Sequence, residues 1–430
     1  MYVRPGEGRR QVPDYHLQAS GRSYGLGYPS PIGLVLLKHF HHPVEVDGRI
    51  NPLPMQLRPE NLDPRYHPTD DRLQQGLQAI LKQEPFRNFL VDKTATKAHP
   101  DDRIRVALVD LSGGKLFLNG VFAGYGAKFP VRAASIAKVL ALYGARQLKF
   151  DMWYLATLSK PQILTKDDLI KAAVRAGYPG KNGELSDLFD FKTVAGQPVE
   201  VNFTSVAGDH LTQILGSAGV CASNGSATWL IHHLGYPYIA SLAWQSGLRH
   251  PNNKGLWLSG DYSTLDECRL GVSRTTALPD GKSRPEAKWP LVWASNPLTD
   301  TLIHECSALS LATYFTLLAQ GRLVHPDASG NIRYFMSRRK NWLAATLPSA
   351  NIASKVGLIQ KCIKKGPTIK NGKQVIECKQ LESTHVHEAG LIEDGSYRYA
   401  VAILTVGIPK GVSLLKQLIG ELDKLIRKNN

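Results

Sequence analysis

No stretch of the chain is apolar for long enough to span a membrane. Residues 32–37 are too few for a spanning helix. They also lie too far in, without a clear cleavage site, for a secretory leader. The chain is therefore expected to be cytoplasmic, or exported by a signal outside it. Cysteine is scarce: Cys221, Cys268, Cys306, Cys362 and Cys378 are the five in 430 residues. No Cys-x-x-Cys occurs among them, which argues against a structural zinc site. Acidic residues are in deficit, 36 against 52 Lys and Arg, giving a formal net charge of +16. That balance favours anionic surroundings. The excess is spread, however, over Arg9-Arg10, Arg338-Arg339-Lys340, Lys364-Lys365 and the C-terminal Lys424, Arg427 and Lys428. With no zinc-finger spacing and no long basic run, it reads as a solvated surface, and no nucleic-acid partner is expected.

What is present is a globular composition, 43 % hydrophobic, on a chain long enough for a full core. Residues 1–68 are rich in Pro, Gly, His and Arg with little periodicity, and read as an irregular arm. His39, His41 and His42 cluster there, but no carboxylate or cysteine stands at ligand spacing, so they read as surface histidines and no metal is expected.

From residue 69 the pattern becomes regular. Residues 69–84 predict a helix, opened by Thr69-Asp70-Asp71 and faced by Leu73, Leu77, Ile80 and Leu81. Residues 104–111 predict a strand, Ser112-Gly113-Gly114 a turn, and residues 115–118 a returning strand. Helices are expected at 165–176, 205–216, 226–234 and 301–320. Residues 179–198 read as a polar, Gly-rich excursion, and 251–297 as a long loop. Strands are expected at 352–359, 385–392 and 397–406, and an amphipathic helix at 412–427. Cys362 and Cys378 bracket a hairpin, either as a disulfide or as two reduced thiols. The pattern predicts an α+β fold: an antiparallel sheet built from both chain ends, packed with N- and C-terminal helices, around an all-helical block.

Ser135 and Lys138 open a further helix. Residues three apart share a helix face, so the Lys138 amine can reach the Ser135 hydroxyl, and the helix N-terminus supplies N–H groups and a positive dipole beside it. A serine hydroxyl needs a base to take its proton. A lysine serves only when neutral, a form that burial beside Val139, Leu140 and Leu142 favours.

Three signals occur in order: Ser135-x-x-Lys138, Ala222-Ser223-Asn224 and Lys355-Val356-Gly357. In this order the chain resembles the serine β-lactamase and penicillin-binding protein (DD-peptidase) superfamily, class A β-lactamases most. The resemblance covers about residues 73–425. It implies one β-lactamase-like domain over 69–430, with 134–350 as its mainly helical part. It implies Ser135 as the acylated nucleophile, Lys138 as its base and Asn224 as the holder of substrate amide and Lys138. Lys355 would bind the substrate carboxylate. The N–H groups of Ser135 and Leu358 would form the oxyanion hole, and Ser223, Val356 and Gly357 would line the substrate. It implies no cofactor, a peptide, β-lactam or ester substrate, and a periplasmic or extracellular setting.

Departures from the pattern matter as much. Ala222 stands where the superfamily has a proton-relaying serine, and Ser223 is one position late. Val356 replaces a hydroxyl residue. No convincing deacylation base is found; Glu267 and Glu286 read as surface residues. A lost acid–base group costs roughly 10²–10⁴-fold in rate. The expectation is a serine hydrolase acting on an amide, peptide or ester through an acyl-enzyme. The alternative is an impaired member of the fold that binds peptide or cell-wall fragments.

Overall fold

The computed structural model describes residues 15–19, 22–26, 44–46 and 49–51 and most of 69–430. Within the latter, 114–119, 160, 176–177, 179–183, 216–222, much of 236–254, 259–261, 263–303, 324–325, 339–340 and 371–372 are not described. The expected strand at 115–118, Ala222, Glu267, Glu286 and the three clustered histidines fall outside the described residues.

The described part of 1–68 is more regular than expected. β1 (Tyr15–Ala19) pairs with β2 (Arg22–Leu26), and β3 (Val44–Val46) with β4 (Arg49–Asn51), both antiparallel. Each pair is separated by two residues, Ser20-Gly21 and Asp47-Gly48. These are dipeptides that favour tight hairpins, a signal masked by the surrounding Pro and His.

The main body is built on a five-stranded antiparallel sheet. Its strands are β5 (Ile104–Asp110), β6 (Val121–Tyr125), β11 (Asn351–Lys370), β12 (Lys373–Asp394) and β13 (Tyr397–Val406), in the order β11-β12-β13-β5-β6. The strand found beside β5 in sequence is thus β6. All seven residues of β5 are buried, because helices cover both faces of the sheet. Ile104, Val106 and Leu108 pack with α1 (Asp71–Leu81) and the C-terminal α10 (Gly411–Asn429). Ala107 and Val109 face the helical block, as the period-2 alternation of a strand requires. The α+β plan expected from the sequence is the one observed.

α1 begins where Asp70 Oδ1 accepts from the Leu73 N–H at 2.7 Å, an N-cap that satisfies an orphan donor. The helix ends at Leu81, short of the expected residue 84. The block between the sheet-forming ends holds α2 (Lys138–Leu158), α3 (Lys166–Arg175), α4 (Glu184–Leu188), α5 (Ser205–Gln213), α6 (Asn224–Leu234), α7 (Ala308–Ala319), α8 (Pro326–Ser337) and α9 (Trp342–Thr346). Every residue of α7 is buried, so this helix lies at the centre, between sheet and block.

Three expectations are corrected here. The excursion at 179–198 contains α4 and β8 (Phe189–Lys192), which pairs with β9 (Glu200–Phe203); burial of Phe189 and Val201 drives that pairing. The helix expected from residue 301 starts at Ala308, after a reciprocal Ser307–Ser310 capping box. Glu305 and Cys306 instead form β10, paired with β7 (Val131–Arg132). Finally, β11 and β12 run far beyond the expected 352–359 and 385–392. No described helix is long and apolar enough to cross a membrane.

Candidate active site

The site grows from a short 3₁₀ turn, Ala134–Ala137, that feeds directly into α2. The sequence predicts an ordinary helical start. In a 3₁₀ turn residues i and i+3 eclipse each other, and Lys138 follows directly as the first residue of α2, three after Ser135. Ala134, immediately before Ser135, has φ +51°. That left-handed conformation costs a non-glycine residue on the order of 1–2 kcal/mol, so its surroundings must hold it.

Several contacts do so. The Ala133 N–H donates to His304 O at 2.8 Å, tying the turn to the segment that leads into β10. The Tyr262 hydroxyl donates to Ala134 O at 3.0 Å. On the sheet side Gly357 lies flush against the turn: a Cβ there would stand 2.8 Å from Ala133 O and 3.1 Å from Ile136 N. Only a glycine lets β11 approach the Ser135 turn this closely.

Lys138 is fully buried, and its Nζ donates to Asn224 Oδ1. Its Nζ also lies 4.7 Å from the centroid of the Tyr262 ring, within cation–π range. That ring also stacks on His304, centroids 4.4 Å apart. Asn224, buried as well, is the first residue of α6, so the helix start itself aims its side chain at Lys138. The two motifs that the sequence separates by 86 positions thus meet through one buried hydrogen bond.

Lys355 is buried on β11 beside Gly357, and its Nζ donates to Val356 O at 3.0 Å. Val356 and Leu358 are half-buried on the same edge strand. Ser223, expected to line the substrate, is engaged elsewhere: its Oγ accepts from the Ser226 N–H at 3.0 Å as the N-cap of α6. Among the described residues no group of three or more His, Cys, Asp or Glu side chains could hold a metal ion.

Tyr262 was not among the residues expected from the sequence, because it sits in a Pro-rich stretch without periodicity. The anchoring around it explains its placement. Thr228 Oγ1 donates to Tyr262 O at 2.7 Å and accepts from its N–H at 3.1 Å. Upstream, Trp257 and Glu305 exchange backbone hydrogen bonds of 2.9 and 3.1 Å. Arg249 is fully buried with its guanidinium 4.3 Å from the Trp257 ring centroid. Burial pushes its pKa down to about 9, partly offset by Glu305. Gly255 at φ +60° permits the close crossing over Leu248 and Arg249.

Beneath the site, His387 on β12 pairs in register with Gly357. Its Nε2 lies 2.9 Å from Arg132 O, and its Nδ1 accepts from the Thr405 N–H at 3.2 Å. Those partners define a neutral ring that donates from Nε2. Burial pushes its pKa down to about 3. On the opposite face Glu388 accepts from Ser354 Oγ at 2.7 Å and from the Leu343 N–H at 2.9 Å. Burial nonetheless raises its pKa to about 8.

No family model matches the chain, and no curated protein does. Among solved structures it is similar to PBP-A, with 14 % identity and a TM-score of 0.44, covering 84 % of this chain and 98 % of that one. It is also similar to the TLA-3 extended-spectrum β-lactamase, with 10 % identity and a TM-score of 0.44, covering 83 % and 97 %. A class A β-lactamase from Mycobacterium abscessus gives 11 % identity and a TM-score of 0.43, covering 83 % and 98 %. At such identities and scores these likenesses carry neither a residue's role nor an activity to this chain.

Proposed function

We propose that the protein is a serine hydrolase that works through an acyl-enzyme on Ser135. The observation that carries this reading is the buried Lys138–Asn224 hydrogen bond one turn from Ser135, beneath the Tyr262 ring. A lysine this deep, tied to a side-chain amide, is an expensive arrangement for a purely structural purpose.

In this reading Ser135 Oγ attacks the substrate carbonyl while Lys138, as the neutral amine, takes its proton. Asn224 fixes the Lys138 side chain. The Ser135 and Leu358 N–H groups receive the negative charge that develops on the carbonyl oxygen. Each such donor is worth about 2.7–4 kcal/mol in the transition state. β11 is an edge strand of the sheet, the kind of element beside which an extended, peptide-like substrate can lie. Lys355 sits on that strand to attract an anionic group of the substrate. The tetrahedral adduct then collapses: the C–N or C–O bond of the substrate breaks, the leaving nitrogen or oxygen takes the proton from Lys138, and water or another acceptor later displaces the acyl group from Ser135. The substrate class is an amide, peptide or ester, including β-lactams.

The test is intact-protein mass spectrometry after incubation with a fluorescent penicillin and, separately, a fluorophosphonate. We expect a single adduct that maps to Ser135 and disappears in Ser135→Ala. A penicillin adduct selects a β-lactam-recognising enzyme, and a fluorophosphonate adduct alone an esterase or amidase. Absence of both adducts overturns the assignment and leaves a binding protein of the same fold; labelling that persists in Ser135→Ala overturns it in favour of another nucleophile.

A further inference from the structure

β11 and β12 do not stop where the sheet stops. β12 pairs with β13 only over residues 385–394, whereas its pairing with β11 continues out to Lys370 and Lys373. Residues 360–370 and 373–383 therefore leave the sheet as a two-stranded arm. At about 3.3 Å per residue, it is roughly 35 Å long. Near its root, Cys362 is disulfide-bonded.

The arm has the wrong surface for a hairpin that only meets water. Residues 360–383 contain six lysines (361, 364, 365, 370, 373 and 379) against two glutamates, 377 and 382. Three isoleucines stand among them with 47 %, 76 % and 67 % of their surface exposed: Ile363, Ile369 and Ile376. The register sets Pro367 opposite Ile376 and Ile369 opposite Gln374. Strand alternation then places Pro367, Ile369 and Ile376 on one face near the tip. On the other face the Lys379 stem crosses Gly366, where a Cβ would lie 3.0 Å from Lys379 Cγ, and its ammonium donates to Thr368. One face of the tip thus gathers Pro367, Ile369 and Ile376 beside Gln374, with Lys365 at its inner end, and the Lys379 stem covers part of the other.

We infer that this arm is an interfacial anchor for an anionic lipid surface. The apolar face enters the boundary between headgroups and acyl chains, and the lysines meet the phosphates. The composition decides against other partners. Residues 360–383 contain no arginine and no aromatic residue. Single-stranded nucleic acid is held by stacking on aromatics and arginine, and exposed isoleucines gain nothing from a phosphate backbone. Protein interfaces concentrate binding in Trp, Tyr and Arg and are poor in Lys. Lysine beside exposed aliphatic side chains suits a lipid interface, where long cationic stems reach headgroups while their methylenes remain in apolar surroundings. Because β11 carries Lys355 to Leu358 before it becomes the arm, docking would fix the groove beside Ser135 in orientation to the surface. The inference itself does not depend on the proposed activity.

The experiment is co-sedimentation of the full chain with vesicles of equal parts phosphatidylglycerol and phosphatidylcholine, and with phosphatidylcholine alone. We expect binding to the mixed vesicles and little to the neutral ones. Lys364→Gln with Lys365→Gln should weaken it about 25-fold, each lysine near an anionic surface being worth about fivefold. Ile369→Ser with Ile376→Ser should weaken it at least about tenfold, with an unchanged melting curve. Ile369→Trp should show a blue-shifted emission on the mixed vesicles. No binding to the mixed vesicles overturns the inference. So does full-strength binding by the Ile369→Ser/Ile376→Ser chain, which would assign adhesion to diffuse charge. Tight retention on a single-stranded oligonucleotide, lost with the lysines but not with the isoleucines, would make the arm a nucleic-acid contact instead.

Discussion

Tyr262 shows how much of the site is decided by single side chains. Its ring contacts both Lys138 and His304, and its hydroxyl reaches the carbonyl of Ala134, the one residue of the Ala134–Ala137 turn with positive φ. It is a positioning residue: it acts on the substrate only through the turn and the lysine. Tyr262→Phe keeps the ring but removes one hydrogen bond, worth about 1 kcal/mol net. We expect roughly a fivefold slower acylation of Ser135, measured with the fluorophosphonate at saturating probe, and a melting temperature within a few degrees of the parent. Tyr262→Leu, which also removes the ring over Lys138, should cost more and alter the pH profile of acylation. A Tyr262→Phe variant as fast as the parent would show that Ala134 is held without the hydroxyl.

At the scale of elements, the decisive contact is a strand pressed against a turn. Gly357 and the Ala134–Ala137 turn leave no room for a methyl group. Gly357→Ala should push β11 and the turn apart by several tenths of an ångström and slow acylation by about 100-fold, the order of loss that small misplacements cause. The β11–β12 pairing should survive, because Gly357 bonds to β12 through its backbone. Comparing acylation rates with far-ultraviolet circular dichroism separates the two effects, and an unchanged rate would mean that the turn is positioned by the Ala133–His304 side alone. The same elements explain what the sequence made legible. Strong periodicity announced α1, α10, β5 and β13, and the Ser135 and Asn224 motifs marked residues that the fold brings close together in the candidate site, with Lys355 on the strand whose Gly357 packs against the same turn. Tyr262 and Trp257 were invisible because long-range contacts position them, Tyr262 through the Thr228 hydroxyl and Trp257 through backbone pairing with Glu305, and neither leaves a period in its own segment; Arg249 follows through its stacking on Trp257. α8 has little sequence signature of its own, since Ser329 and Gly330 inside it are poor helix formers; tertiary packing, which buries Ser329 fully, overrides that propensity. Ser223 was legible as a helix start, yet its spacing to Asn224 also made it look like a substrate contact; the cap hydrogen bond engages its oxygen.

For the whole molecule, the sheet under the site is a place where protons are linked to folding. Neighbouring residues of β12 titrate in opposite senses. His387 is held neutral, with its pKa depressed from 6.5 to about 3 by burial. The unfolded chain therefore binds a proton that the folded chain refuses between about pH 6.5 and 3, and stability falls as pH drops through that window. Glu388 is the reverse case, raised from 4.5 to about 8 by burial against the opposing hydrogen bonds from Ser354 and Leu343. Here the folded chain keeps a proton that the unfolded chain releases. Stability from this group is fully present below about pH 4.5 and is lost as pH rises to about 8. Asp151 in α2, receiving hydrogen bonds from Gln147 and Tyr238, adds to the same alkaline slope, with a pKa raised from 3.8 to about 7. Glu388→Gln separates the contributions. An amide can accept from the Leu343 N–H and donate to Ser354 Oγ, so the local bonds are kept and only the titration is removed. Denaturant unfolding at pH 5 and pH 8 should show the parent losing stability between the two values and the Glu388→Gln chain losing distinctly less. Equal losses in the two chains would mean that Glu388 ionises in the folded state as readily as in the unfolded one. The back of the β11 edge would then carry a negative charge beside Lys355 at neutral pH, and the field at the proposed substrate groove would have to be redrawn with that charge in place.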